Sequence, residues 1–316
     1  MKNRLFIMLL GFIVLVVAAC GNTDEADEEK GDQDGKEAEP ITVEHELGTT
    51  EVEKNPGKVV VFDFGTLDTL DKLGVDVVGV PQNNIPSYLD KYEGDDYENV
   101  GSLKEPDFEK IAEIDPDLII ISGRQSEVYD ELEELADTIY LGVDTTRYMD
   151  SFKENLAVIG EVFDKEDEVA EEQEQIEDAI ASLQEKAEAS EQTGLIILAN
   201  DDKISAYGPN SRFGIIHDVF GVEAADEDIE ASTHGMNVSF EYVVEKDPDL
   251  LYVVDRSAAI GEESSAKKIV ENELIKETKV YEDDNITYLD PEYWYLSGGG
   301  LVSVTEMIEE IDASLE

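Results

Sequence analysis

Two stretches of this chain, 132 residues apart, follow one pattern, and that pattern narrows the fold more than any other feature of the sequence. Asp107-Phe-Glu-Lys-Ile-Ala-Glu-Ile-Asp-Pro-Asp-Leu-Ile-Ile-Ile121 lies over Ser239-Phe-Glu-Tyr-Val-Val-Glu-Lys-Asp-Pro-Asp-Leu-Leu-Tyr-Val253. Phe108, Ile111 and Ala112 match Phe240, Val243 and Val244, the i, i+3, i+4 stripe of a core-facing helix. Asp115-Pro116 and Asp247-Pro248 stop each helix, because proline disfavours a helical backbone in the residue before it. Leu118–Ile121 and Leu250–Val254 follow as strands apolar on both faces, as in parallel sheets covered by helices. The expected fold is α/β, built as two related lobes.

Further units agree. Lys58-Val-Val-Val-Phe-Asp-Phe64 reads as a strand, and Gly65 opens a helix with Leu67, Leu70 and Leu73 that Gly74 can cap. In the second half, Gly194–Ala199 is a strand, Ile204–Tyr207 closes a short hairpin, and a helix carries Phe213, Ile216 and Phe220. Between the halves, residues 149–190 contain no proline, and Phe152, Leu156, Ile159 and Phe163 lead into Val169, Ile176, Ile180 and Leu183. The spacing predicts a stiff helical connection at 149–190, with an N-terminal lobe over 41–148 and a C-terminal lobe over 191–316.

The start of the chain fixes the expected compartment. Lys2 and Arg4 precede the apolar run Leu5–Val17, and Val17-Ala18-Ala19-Cys20-Gly21 has the form of a lipobox. Residues 1–19 are therefore read as a signal peptide and Cys20, the one cysteine of the chain, as the lipidated residue that anchors it at the outer face of the membrane. Residues 20–40 read as an acidic, solvated tether. With 78 Asp+Glu against 23 Lys+Arg, a net charge of −55, nucleic acid is excluded as a partner. One cysteine and three histidines leave no protein-held metal cluster to expect.

In so acidic a chain the arginines are informative. Arg124 and Arg256 each stand seven residues beyond the second Asp of the Asp-Pro-Asp repeat, at the carboxyl end of equivalent strands. Ligands of open α/β sheets bind outside those strand ends. With Arg212, at the start of the next helix, they make three candidate guanidiniums for an oxygen-rich anion in the cleft between lobes. The competing expectation is that each pairs with a surplus carboxylate.

Aromatics gather at Tyr288 and Tyr293-Trp294-Tyr295, followed by Leu296-Ser297-Gly-Gly-Gly300, where the glycines allow close backbone approach before a C-terminal helix from Leu301. Trp294 and Tyr207 are candidate apolar walls for an aromatic ligand, with core packing as the alternative, and His234 in Ser232-Thr-His-Gly235 is a further candidate contact. No G-x-S-x-G, Walker P-loop or H-E-x-x-H motif is present, so the chain reads as a binder without catalytic residues. A cell-surface hydrolase using paired carboxylates is the alternative of another class.

Together, the lipobox, the acidic tether, Val59-Val-Val-Phe-Asp-Phe-Gly65, the Asp-Pro-Asp-Leu strands, Gly101-Ser-Leu-Lys-Glu-Pro-Asp107, Arg124-Gln-Ser-Glu127, Leu141-Gly-Val-Asp144, Ile216-His-Asp-Val-Phe-Gly221, Ala231-Ser-Thr-His-Gly235 and Trp294-Tyr-Leu-Ser-Gly-Gly-Gly300 resemble substrate-binding lipoproteins of Gram-positive ferric-siderophore ABC importers. The resemblance implies two Rossmann-like lobes with parallel sheets joined by a long rigid α-helix, the class III binding-protein arrangement, with little lobe closure. It implies no cofactor, a ferric siderophore of the catecholate/citrate, petrobactin-like type as ligand, and a monomer that delivers it to an ABC permease and its ATPase. The arginine-lined cleft of the family falls on Arg124, Arg212 and Arg256, and its acidic permease contacts on Glu109 and Glu241, with Glu105 as a rival. Pro81-Gln-Asn-Asn-Ile-Pro86 departs from the family where a lysine can stand at the cleft. A haem or corrinoid receptor on the same fold, with Tyr207, His234 or Met236 as axial ligand, is the alternative.

Overall fold

The computed structural model describes residues 40–263 and 266–315; the leader, Cys20 and nearly all of the acidic tether lie outside the described residues. The described chain opens on an antiparallel hairpin of β1 (Ile41–His45) and β2 (Gly48–Val52), an element without a signal in the repeat pattern. Ile41, Val43 and Val52 turn inward, and Thr50 Oγ1 donates to the Thr138 carbonyl at 2.8 Å, which fastens the hairpin to the first lobe.

In the N-terminal lobe, β3 (Val59–Val61), β4 (Gly79–Val80), β5 (Glu98–Asn99), β6 (Leu118–Ile121) and β7 (Thr138–Tyr140) form one parallel sheet in the order β5-β4-β3-β6-β7. Its helices are α1 (Phe64–Lys72), α2 (Phe108–Ile114) and α3 (Tyr129–Glu133). Asp63 caps α1 by accepting the Thr66 N–H at 2.8 Å, and Asp107 caps α2 by accepting that of Lys110 at 3.0 Å. Gly74, at φ +69°, lets the chain leave α1, with the Val75 N–H returning to the Leu70 carbonyl at 2.8 Å.

The connection consists of α4 (Tyr148–Phe163) and α5 (Glu166–Ser190), the latter a 25-residue helix. Where the spacing predicts one run over 149–190, the chain turns a corner at Asp164, which takes the left-handed conformation at φ +50°. Lys54 Nζ and Asn55 Nδ2 both bond its carboxylate, at 2.9 and 2.5 Å, and hold that corner. The apolar stripe of each helix is buried as its spacing requires.

The C-terminal lobe contains β8 (Thr193–Asn200), β9 (Lys203–Tyr207), β10 (Glu223–Ala224), β11 (Met236–Val238), β12 (Leu250–Asp255) and β13 (Ile286–Leu289). Its sheet runs β11-β9-β8-β12-β13, with β10 also paired to β8. The β10–β8–β12–β13 part is parallel, whereas the β8–β9 hairpin and β11 are antiparallel, so this sheet is mixed where the sequence suggests a parallel one. Short helices α6 (Ile215–Asp218), α7 (Phe240–Lys246), α8 (Arg256–Ala259), α9 (Ala266–Val270) and α10 (Lys279–Glu282) surround it. The repeat is explicit in the backbone: α2 and α7 both end on a left-handed aspartate, Asp115 at φ +54° and Asp247 at φ +45°, and both feed a fully buried strand, β6 or β12. Aspartate tolerates that conformation better than most residues, which suits it to the position before proline.

The last helix, α11 (Leu301–Ser314), belongs to the second lobe in sequence but packs on α1 and α5. One continuous core consequently runs from Phe64, Leu118 and Ile120 through Val304 and Ile311 to Ile196 and Tyr252. The lobes share their interior, and the site lies on the seam.

Candidate functional site

Each arginine is delivered by a fixed turn. After β6, buried Gln125 accepts the Ser122 N–H at 3.1 Å and donates to the Leu103 carbonyl at 2.5 Å, which locks the turn carrying Arg124. After β12, Asp255 caps α8 by accepting the Ala258 N–H at 3.1 Å, so Arg256 starts that helix at the strand's carboxyl end. Arg212 does not begin a long helix. It sits in the turn before α6, where Ser211 Oγ bonds the Gly208 carbonyl at 2.5 Å and the Gly214 N–H bonds the Ser211 carbonyl at 2.9 Å.

All three converge on one residue. The Tyr295 carbonyl accepts from Arg124 Nη2 at 2.7 Å and from Arg212 Nη2 at 2.8 Å. The Arg212 guanidinium also lies over the Tyr295 ring, 4.1 Å from its centroid. Arg256 Nε donates to the Tyr295 hydroxyl at 3.2 Å, and its Nη1 to Asn200 Oδ1 at 3.0 Å. Tyr295 belongs to a π-helical turn, Glu292–Ser297, whose closing bond runs from the Gly298 N–H to the Tyr293 carbonyl at 2.8 Å. In that winding the Tyr295 carbonyl faces the guanidiniums as a C-terminal helix carbonyl, the negative end of the local dipole.

Among the described residues no carboxylate lies within ion-pair distance of Arg124, Arg212 or Arg256. Arg147 behaves oppositely, pairing with Asp144 and Glu154 on an exposed surface. The expectation that Arg124, Arg212 and Arg256 each pair with a carboxylate is therefore not met among the described residues. Electrostatics record the crowding. Burial, and then the Arg212 charge, pull the Arg124 guanidinium below its ordinary value, against the opposing pull of Asp63 and Tyr295. For the Tyr295 phenol, burial acts upward, but the Arg212 charge and the Arg256 hydrogen bond outweigh it and leave the group below the usual tyrosine value.

The cleft beside this cluster has a volume of about 1070 Å³, and Arg124, Arg212, Tyr295, Trp294 and His234 are on its walls. That is the upper end of the size range of small-molecule sites. Arg256, expected with the other two in the cleft, is not among the residues lining it; its guanidinium is taken up by the Tyr295 hydroxyl and Asn200. Trp294 is 4% exposed and donates from Nε1 to Glu310 Oε2 at 2.5 Å, so it is a core residue with an edge on the cleft. Tyr207 is 1% exposed and packs edge-on to Phe213, with ring centroids 4.7 Å apart. It supports the Arg212 turn instead of forming an open wall. Burial pushes its phenol up to about 12, partly offset by the Arg212 charge. His234 is exposed in a loop, with its N–H on Ser232 Oγ at 3.1 Å.

The seam is closed by side chains the sequence does not single out. Asp68 of α1, fully buried, accepts the N–H groups of Val302 at 3.2 Å and Ser303 at 3.1 Å, and Thr69 Oγ1 accepts that of Leu301 at 3.0 Å. The N-cap of α11 is Gly300, which has no side chain to offer, and so the helix takes its cap from another helix. A Cβ on Gly300 would stand 2.0 Å from Asp68 Oδ1 and 2.1 Å from the Gly65 carbonyl, which is why a glycine run precedes α11.

The sequence profile described as "Periplasmic binding protein" matches residues 59–293. The chain belongs to that family. Members similar to it include the petrobactin-binding protein YclQ of Bacillus subtilis, 54% identical over the full length of both chains. The crystal structure of that protein superposes with a TM-score of 0.87 at 56% identity, covering 88% of this chain and 99% of the other. The periplasmic catecholate-siderophore binding protein VctP of Vibrio cholerae superposes at 0.83 with 35% identity, covering 87% and 100%. The two-lobed α/β expectation is thus that of the family fold, and these relatives are binding proteins, as the missing catalytic motifs suggest.

Proposed function

We propose that this protein is a lipid-anchored extracellular receptor that captures a ferric siderophore of the petrobactin type and hands it to an ABC permease, leaving the ligand chemically unchanged. The observation that carries this reading is the shared Tyr295 acceptor: Arg124 from one lobe and Arg212 from the other are held together with no carboxylate in ion-pair contact among the described residues. Each guanidinium has five donors and spends one of its Nη2 donors on Tyr295, so charge and planar N–H pairs are left for a multiply anionic chelate. The −55 background repels such a ligand at long range, and salt screens that repulsion more than the close contacts. The ligands after which the relatives are named, petrobactin and a catecholate siderophore, support the same class and do not favour haem or corrinoid.

Iron arrives already held by the chelate; His234 and Trp294 contribute shape in this reading, and Tyr207 supports the Arg212 turn from behind the wall. Cys20 carries the anchor. Glu109 and Glu241 occupy the same place in the repeat, in the first turn of α2 and of α7, and both are exposed, as is Glu105; these are the proposed permease contacts. Native mass spectrometry of the soluble domain against ferric petrobactin, ferric citrate, other ferric catecholates and haemin tests the assignment. One ferric petrobactin per chain is the expected result, and retention of haemin alone would overturn it.

A further inference from the structure

A second feature of the seam connects the buried interior to the cleft. Tyr88, in the 3-10 helix Ser87–Glu93 of the first lobe, has its hydroxyl 3.2 Å from Asp68 Oδ2 and 2.6 Å from Ser297 Oγ. Ser297 and its neighbour Gly298 are on the cleft wall. The Tyr88 ring leans on that of Tyr293, with centroids 4.8 Å apart, so the hydroxyl is held between the two partners. A phenol with one hydrogen and two such neighbours can donate to only one of them at a time.

We propose that Asp68, Tyr88 and Ser297 form a hydrogen-bond relay that couples capture of the anionic ligand to uptake of a proton at Asp68. With Asp68 ionised, Tyr88 donates to Oδ2 and must accept from Ser297, whose hydrogen then points away from the cleft. With Asp68 neutral, the carboxyl O–H donates to Tyr88, Tyr88 donates to Ser297, and the Ser297 hydrogen is free to meet a carboxylate or catecholate oxygen. The proton comes from solvent, and no covalent bond other than the O–H of Asp68 is made or broken. An anionic ligand binds the second arrangement better, so by linkage its binding draws in a proton.

The surroundings of Asp68 suit the role. It is faced by Tyr88, by the Tyr148 phenol of α4, by Ser303 and the first N–H groups of α11, and by Thr69 on its own helix; among the described residues no charged side chain bonds to it. Burial raises its carboxyl to about 7 against the pull of those hydrogen bonds, so both states are accessible near neutrality. Burial and the Asp68 charge push the Tyr88 phenol far up, so it keeps its hydrogen throughout.

The test rests on the ferric-siderophore reading for its probe. Calorimetric titration with ferric petrobactin at pH 7, in buffers of different ionisation enthalpy, gives the protons taken up per ligand. The expected value is roughly half a proton more in the wild type than in Tyr88→Phe or Asp68→Asn. Equal uptake in all three overturns the relay while leaving the receptor assignment standing. If the wild type binds no chelate, the assignment falls, and the relay is judged on the free protein by infrared spectroscopy. A carboxylic-acid C=O band then has to be present at about pH 6, absent from Asp68→Asn and shifted in Tyr88→Phe. A wild type without that band overturns the relay independently.

Discussion

Arg124 and Arg212, 88 positions apart in sequence and on different lobes, donate to the same carbonyl oxygen, at 2.7 and 2.8 Å. Burial first, and then repulsion from the Arg212 charge, lower the proton affinity of Arg124. The Tyr295 carbonyl offsets part of that repulsion and fixes the distance between the two guanidiniums. A site arranged in advance in this way loses little of its binding energy to ordering the protein.

The glycine run before α11 is a steric requirement. Gly300→Ala is expected to lower thermal stability by roughly 1–3 kcal/mol, because its Cβ would overlap Asp68 Oδ1 and the Gly65 carbonyl. Thermal unfolding followed by circular dichroism measures it; an unchanged midpoint would contradict the close approach.

Asp68 makes stability depend on pH in a defined direction. Its folded value of about 7 lies above the ordinary 3.8, so the folded state holds more protons between those values. Its favourable contribution is full below about pH 4 and is lost as pH rises through 7. Denaturant titrations of wild type and Asp68→Asn are expected to show the wild type losing ground relative to the variant over that window. Parallel curves would contradict the raised carboxyl.

Tyr295 works in the opposite sense. Its phenol lies below the usual 10.0, so the fold favours the ionised form, and the associated stabilisation is lost as pH falls through the lowered value. Alkaline absorbance titration is expected to show one early tyrosinate, missing from Tyr295→Phe and displaced upward in Arg212→Ala. An identical first step in Tyr295→Phe would place the early group elsewhere.

Glu109 and Glu241 project from equivalent helix starts on the two lobes. Charge reversal at both is expected to reduce stimulation of the reconstituted permease and ATPase by loaded protein, with the midpoint of chelate titration held. Full stimulation by the double variant would remove these residues from the proposed contact.

Most of the architecture was legible because a duplicated helix-Asp-Pro-Asp-strand unit carries its own periodicity and stop signals, and the duplication marks Arg124 and Arg256 as equivalent. Less visible was whatever depends on long-range contact. The acceptor at Tyr295 is a backbone carbonyl, which no residue type encodes, and its π-helical winding has no spacing signature. Asp68 reads in sequence as one carboxylate among 78, and becomes a helix cap only once α11 folds back onto α1. The corner at Asp164 likewise depends on Lys54 and Asn55, more than a hundred positions away.

The decisive measurement is equilibrium titration of Trp294 fluorescence with ferric petrobactin, since this lone tryptophan has an edge on the cleft beside Tyr295. The wild type is expected to quench at micromolar chelate or below. Arg124→Ala and Arg212→Ala should each weaken binding roughly tenfold or more, at about 1.5–3 kcal/mol per charge-assisted hydrogen bond, and Arg256→Ala less, through Tyr295. Wild-type affinity in both Arg124→Ala and Arg212→Ala would contradict the arginine site.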